Sequence, residues 1–250
     1  MAEPVLSLHN LSKNFGGLRV TDNLSLDVLP GELHALIGPN GAGKTTLMNQ
    51  ISGLLSSDGG RILFCGADVT HTRADERARR GLARSFQITA TLPNFTVLDN
   101  VALAAQSHRG SSFHFFADAA HEDDLNQAAM DALREVGLAD RAQMQAAHLS
   151  HGERRALELA IALAMQPKLL LLDEPMAGTG REETQRLVEV LRRLKGRFPM
   201  VLVEHDMSAV FALADRVSVL IYGRVLTTGA PDAVRNDPKV IAAYLGDETA

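Results

Sequence analysis

Residues 38–46 read Gly38-Pro39-Asn40-Gly41-Ala42-Gly43-Lys44-Thr45-Thr46, and no other stretch of the 250-residue chain limits the fold so sharply. It fits the spacing G-x-x-x-x-G-K-[ST], in which each position has a physical reason. Glycines let successive backbone N–H groups turn inward around an anion, where a Cβ would clash. Lys44 can reach the outer phosphates of a polyphosphate, and the Thr45 hydroxyl is a hard oxygen ligand suited to Mg²⁺. A short apolar run, Leu33 to Ile37, precedes the loop. Helical spacing follows from Lys44 to Leu54, with Gly53 near a stop. The anion would then face the positive end of a helix dipole. Chance alone yields the pattern in roughly one in a hundred chains of this length. The strand before it and the helix after it favour nucleotide binding, with all nine residues as candidates.

The surrounding pattern is that of an α/β protein. Val5, Leu6, Leu8 and Leu11, then Leu18, Val20, Leu24, Leu26 and Val28, predict two half-buried strands separated by Gly16-Gly17, an N-terminal antiparallel β subdomain. Arg61 to Phe64 predicts another strand. From about 88 to 166 helical spacing dominates, through Val97 to Ala104 and Leu125 to Val136, which predicts an inserted helical subdomain within one domain of 1–250. Ser107 to Asp124 reads as an exposed connection; its His108, His114 and His121 have no metal-ligand spacing and are taken as solvated. After Pro167 buried apolar strands (Leu169 to Leu172, Met200 to Val203, Val217 to Ile221, Val225 to Thr227) alternate with helices over 182–195 and 207–214. A last helix follows Pro238. Such alternation predicts a mixed, largely parallel sheet.

Composition removes several classes of function. A net charge of −5 gives no electrostatic case for nucleic acid. The basic runs Arg77-Ala78-Arg79-Arg80 and Arg192-Arg193 read as solvated helix surface. One cysteine, Cys65, excludes an intrachain disulfide. No signal peptide is read at Met1-Ala2-Glu3-Pro4, and no apolar run approaches the ~18 residues needed to span a bilayer, so a soluble chain acting on membranes through a partner is expected.

Leu169-Leu170-Leu171-Leu172-Asp173-Glu174-Pro175 puts two acids at the carboxyl end of a buried strand, where α/β sheets gather their ligands. Asp173 is then a candidate Mg²⁺ holder and Glu174 a general base or water-orienting residue. A strand that merely ends in a polar turn is the plainer reading. Downstream of a phosphate loop it is the weaker one. Leu149-Ser150-His151-Gly152-Glu153 opens a further helix. Capping-box spacing accounts for Ser150 and Glu153 but leaves Gly152 unexplained.

In this order of motifs the chain resembles the ATP-binding cassette family over essentially its whole length: a phosphate loop, a glutamine loop at Gln87, a signature at Leu149–Glu153, Asp173-Glu174, and a switch histidine at His205. The resemblance implies a P-loop NTPase fold, ATP with Mg²⁺ as the bound species, and a head-to-tail dimer with two ATPs sandwiched in it. Ser150 and Gly152 of one subunit would touch the γ-phosphate held by the other. It implies that Phe15 stacks on adenine, that Gln87 contacts Mg²⁺ and relays to a membrane partner, and that His205 holds the γ-phosphate and positions water. A core aromatic remains the alternative for Phe15. The chain departs from the family pattern at His151 and Glu153 in the signature, and at Gly180, where the family has aspartate.

Phe15-Gly16-Gly17-Leu18, Arg84-Ser85-Phe86-Gln87, Glu174-Pro175-Met176-Ala177-Gly178, Glu204-His205-Asp206-Met207 and Ala243-Tyr244-Leu245-Gly246 are similar to ATP-binding subunits of hydrophobic amino acid and amide importers, branched-chain amino acids first and urea next. That resemblance implies a second ATP-binding subunit, two transmembrane permeases, an indirectly coupled periplasmic binding protein, and a place at the cytoplasmic face of the inner membrane. A non-transport ATPase acting on ribosomes or DNA, and a small-molecule kinase, are the rival readings. The first expects tandem cassettes or a long coiled-coil insertion, and the second leaves the signature unexplained.

Overall fold

The computed structural model describes residues 3–85, 91–108 and 119–246. The strands in chain order are β1 (Leu6–Phe15), β2 (Leu18–Val28), β3 (Leu33–Ile37), β4 (Gly59–Phe64), β5 (Ala67–Asp68), β6 (Leu82–Ser85), β7 (Leu169–Asp173), β8 (Met200–Val203), β9 (Arg216–Ile221) and β10 (Arg224–Gly229). The helices are α1 (Lys44–Ser52), α2 (Ala74–Arg79), α3 (Val97–His108), α4 (Ala119–Glu135), α5 (His151–Ala164), α6 (Arg181–Leu194), α7 (Met207–Leu213), α8 (Pro231–Arg235) and α9 (Pro238–Gly246). They fall into two compact units, one of Met1–Leu82, Lys168–Glu174 and Leu194–Ala250, the other of Ala83–Pro167 and Pro175–Arg193.

The first unit carries two sheets. One runs β2-β1-β4-β5 and its described pairings are antiparallel. In the other, β9, β3, β8 and β7 lie side by side and parallel, and β10 closes the edge antiparallel to β9. The two kinds of strand show the burial expected of each. β3, β7 and β8 are buried at every residue, as parallel strands covered on both faces must be. β1 alternates, with Leu6, Leu8 and Leu11 inward. The break in that alternation coincides with Asn10 at φ 49, where the pairing with β2 shifts register as in a bulge.

One buried cluster joins Leu6, Leu8 and Leu24 of the antiparallel sheet, Leu47, Met48 and Ile51 of α1, and Leu36, Leu169, Leu171 and Val201 of the parallel sheet. Each large side chain so buried stabilises by about 1.5–3 kcal/mol. Helix α1 is thereby anchored along one face while its first residue, Lys44, stays at the phosphate loop. It ends at Gly53, whose φ of 80 is the left-handed stop expected of a glycine.

The Arg77-Ala78-Arg79-Arg80 run is not all solvated surface. Arg79 and Arg80 pair with Asp75 and Glu76 one turn back on the surface. Arg77, by contrast, is only 1% exposed. Its Nη1 donates to the carbonyls of Gln50 and Ile51, both at 2.7 Å, and its Nη2 to that of Thr70 at 3.0 Å. Gln50 and Ile51 lie in the last turn of α1, where carbonyls lack a full set of helical partners and favour a cation.

In the second unit α3, α4 and α5 pack together, burying Val97, Val101, Ala129, Leu133, Leu157 and Ala160. The expected connection from Ser107 to Asp124 is helical at both ends, since α3 reaches His108 and α4 starts at Ala119. Residues 109–118, His114 among them, lie outside the described residues. Among those described, no group of three or more His, Cys, Asp or Glu could hold a metal ion, and no helix is long and apolar enough to cross a membrane.

Candidate functional site

The phosphate loop leaves β3 and enters α1, and its backbone is held from below. A Cβ on Gly38 would stand 2.1 Å from the Leu220 carbonyl oxygen, so only glycine lets the loop start there. At Gly41, φ is 80 and a Cβ would meet nothing within 4 Å, so this side of the loop faces open space. Gly43 caps α1 without a side chain, so the first helical N–H groups point into that space. Lys44 is 6% exposed and donates from Nζ to the carbonyls of Gly38 at 2.6 Å and Pro39 at 3.0 Å. Burial draws its pKa down, while the charges of Glu174 and Asp173 push it back up. A cradle of inward N–H groups with one buried cation fits the phosphates of a nucleotide. Thr45 is exposed at its edge and Thr46 half-buried.

The carboxylates arrive from β7. Asp173 ends the strand, 5% exposed. Glu174 follows at φ 50, a left-handed conformation that Glu rarely adopts, and its N–H donates to the Val203 carbonyl at 2.9 Å. Its Oε1 lies 2.9 Å from Nε2 of His205, and both side chains are partly open to solvent. A carboxylate is an acceptor only, so Nε2 carries the proton in this pair.

His205 is placed by its neighbours. Glu204, 4% exposed, accepts from the His205 N–H at 2.8 Å. Asp206 caps α7 through the Ser208 and Ala209 amides. An acid on each side of a histidine just before a helix is the sequence signal for this placement. Phe15, at the end of β1, is 50% exposed, with Lys13 Nζ 5.8 Å from its ring centroid, so it is no core aromatic. The first unit thus brings together residues 38–46, Asp173, Glu174 and His205. Gln87 lies outside the described residues.

Ser150 and Gly152 belong to the second unit. Ser150 caps α5 in a complete capping box: its Oγ accepts from the Glu153 N–H at 3.2 Å, and Glu153 Oε2 accepts from the Ser150 N–H at 2.9 Å. The Ser150 amide, followed by Arg141 at 3.1 Å, holds the Glu153 carboxyl below its ordinary pKa. Gly152 also has a packing role, since a Cβ there would fall 2.5 Å from Cδ of Glu183. His151 Nε2 sits 3.4 Å from the Ala177 carbonyl, so one departure from the family pattern touches the loop that carries another, Gly180.

Residues 21–177 match the ABC transporter family, and residues 224–250 match the branched-chain amino acid ATP-binding cassette transporter family. The high-affinity branched-chain amino acid transport ATP-binding protein LivG of Escherichia coli (strain K12) is 36% identical over 256 residues, covering 99% of this chain and 100% of that protein. The corresponding protein BraF of Pseudomonas aeruginosa is 34% identical, with coverage of 99% and 100%. Among solved structures, the ADP conformation of MJ1267, an ATP-binding cassette of an ABC transporter, superposes with a TM-score of 0.86 at 28% identity over 98% of this chain and 100% of that one. With a phosphate loop, a strand-end carboxylate pair and a capped signature helix all in place, the chain belongs to the ABC transporter family as one of its ATP-binding, ATP-hydrolysing subunits.

Proposed function

We propose that this ATPase powers uptake of branched-chain or related hydrophobic amino acids through separate membrane permeases. The observation that carries the hydrolytic reading is the 2.9 Å pair of Glu174 and His205 at the strand ends beside Lys44. The cargo reading is supported by full-length similarity to LivG and BraF and by the C-terminal match. The protein then works at the cytoplasmic face of the inner membrane, with a second ATP-binding subunit, two permeases and, indirectly, a periplasmic binding protein. Nucleic acid has no part in it.

Residues 38–46 bind the phosphates and Phe15 stacks on adenine. Thr45, Asp173 and Gln87 would hold Mg²⁺, which would supply neutralisation of phosphate charge. Lys44 adds a fixed cation whose burial strengthens its pull on the outer phosphates. Glu174 orients the attacking water and takes its proton. His205 steadies Glu174 through Nε2–H, and a γ-phosphate competes for the same proton. Ser150 and Gly152 of the second subunit meet that phosphate with the N-terminal N–H groups of α5, coupling hydrolysis to dimer closure.

Glu174→Gln is the direct test. ATP binding persists and steady turnover falls by at least 10²-fold; intact turnover overturns the role of Glu174. For the cargo, purified transporter in vesicles should hydrolyse ATP in step with leucine uptake. Uptake of urea instead would sink the branched-chain reading.

A further inference from the structure

The turn between β9 and β10 carries a residue that folding does not explain. Tyr222 and Gly223 join the two strands with φ values of 46 and 76. Positive φ at both central residues is the geometry of the tight hairpin turn that favours Asn-Gly. A bulky aromatic in the first position is an outlier. Packing offers no compensation, because Tyr222 is 79% exposed.

Everything around that side chain is held in place. Gly223 donates its N–H to the Ala42 carbonyl of the phosphate loop at 2.9 Å and accepts from the Asp22 N–H at 2.9 Å. Its Cα lies 3.7 Å from where a Cβ on Gly43 would stand. Arg224 and Arg19 both pair with Asp22, bracing the hairpin against β2. From Val20, whose carbonyl packs on Gly43 and Gly223, β2 runs back only about 7 Å to Leu18, which pairs with Phe15. Leu18 is 66% exposed and Phe15 50%. Tyr222 thus stands on a turn bound to the loop, and two further exposed apolar side chains, Leu18 and Phe15, lie on the strand pair whose Val20 packs on Gly43.

We propose that Tyr222 is a second aromatic contact for the nucleotide, stacking on the base or its sugar while Phe15 takes the base from the other side. The proposal rests on the nucleotide-binding reading and adds a residue to it. A strained, exposed aromatic braced against the phosphate cradle is chosen for what arrives there.

The test compares Tyr222→Asn and Tyr222→Phe with the unaltered protein, by calorimetric titration with ATP and with inorganic tripolyphosphate, which has phosphates and no base. Asn suits the turn, so Tyr222→Asn should melt at or above the wild-type temperature, which removes misfolding as a cause. Its Kd for ATP should rise about tenfold, the scale of one lost aromatic stack. Its Kd for tripolyphosphate should stay within twofold, and Tyr222→Phe should bind ATP as the wild type does. Unchanged ATP affinity in Tyr222→Asn overturns the proposal, as does an equal loss of tripolyphosphate. A loss in Tyr222→Phe matching that in Tyr222→Asn overturns stacking. If the unaltered protein binds tripolyphosphate and ATP equally weakly, the nucleotide-binding reading itself fails.

Discussion

Replacing Arg77 tests whether the phosphate-loop helix is held from its far end. Arg77→Met keeps most of the side-chain volume and removes every donor. It strands the carbonyls of Ile51, Thr70 and Thr72, which Arg77 reaches at 2.7, 3.0 and 3.2 Å, and leaves that of Gln50, reached at 2.7 Å, only the Gly53 N–H. A hydrogen bond from a charged donor contributes about 1.5–3 kcal/mol, and a stranded buried acceptor costs a similar amount. Against this stands relief of the burial that already disfavours the charge on Arg77. The balance is a loss of about 3–5 kcal/mol, or a fall in melting temperature of about 6–20 °C for a chain of this size. Arg77→Lys, with one ammonium for a forked guanidinium, should fall between the two. Urea unfolding at equal m-value reads the loss, and ATP titration reads its consequence at Lys44. If Arg77→Met unfolds within 1 kcal/mol of wild type, the helix does not depend on this anchor and the reasoning fails.

Gly38→Ala drives a methyl into the Leu220 carbonyl, 2.1 Å from the ideal Cβ position, so both stability and ATP affinity should drop, by about 2 kcal/mol or more in unfolding free energy. Wild-type values of either would show that the loop start is free to shift. Glu174→Asn should abolish turnover and still raise the melting temperature, because Asn tolerates the φ of 50 better than Glu does; a lower melting temperature refutes stored strain at this position. The Glu153 carboxyl is held below its ordinary pKa by the Ser150 amide and then by Arg141. Its stabilisation is therefore complete above about pH 4.3 and lost as pH falls through the lower folded value. The advantage of wild type over Glu153→Gln in unfolding free energy should shrink from pH 6 to pH 3, and a growing advantage would reverse the sign of the linkage.

What was legible in this chain was what is local. Gly38 to Thr46 announces a turn and a helix start within nine residues, and the short apolar runs at Leu33 to Ile37 and Leu169 to Leu172, bounded by turn residues, read as strands covered on both faces. Ser150 and Glu153 announce a helix start by spacing alone, and the capping box is there. The illegible features are those whose partners are remote. Arg77 sits in a run of three arginines, and nothing local separates it from Arg79 and Arg80. Two of its acceptors lie 26 and 27 residues away, reached only after α1 has packed. The pairing of Glu174 with His205 spans 31 residues, and the motif order named both without stating that they touch. Backbone strain leaves even less trace, since no propensity at Glu174 or Tyr222 asks for positive φ. Where local preference and the folded chain disagree, the disagreement is a place to look for selection by something other than folding; Cys65 and Gln166 are two such places away from the phosphate loop. Asn10 and Asn23 adopt the same conformation with the side chain that suits it, and neither touches the phosphate loop in the described contacts. Glu174 adopts it with a side chain that does not, beside Lys44 and against His205. That contrast gives Tyr222, the other misfit against the loop, its claim to a role in binding.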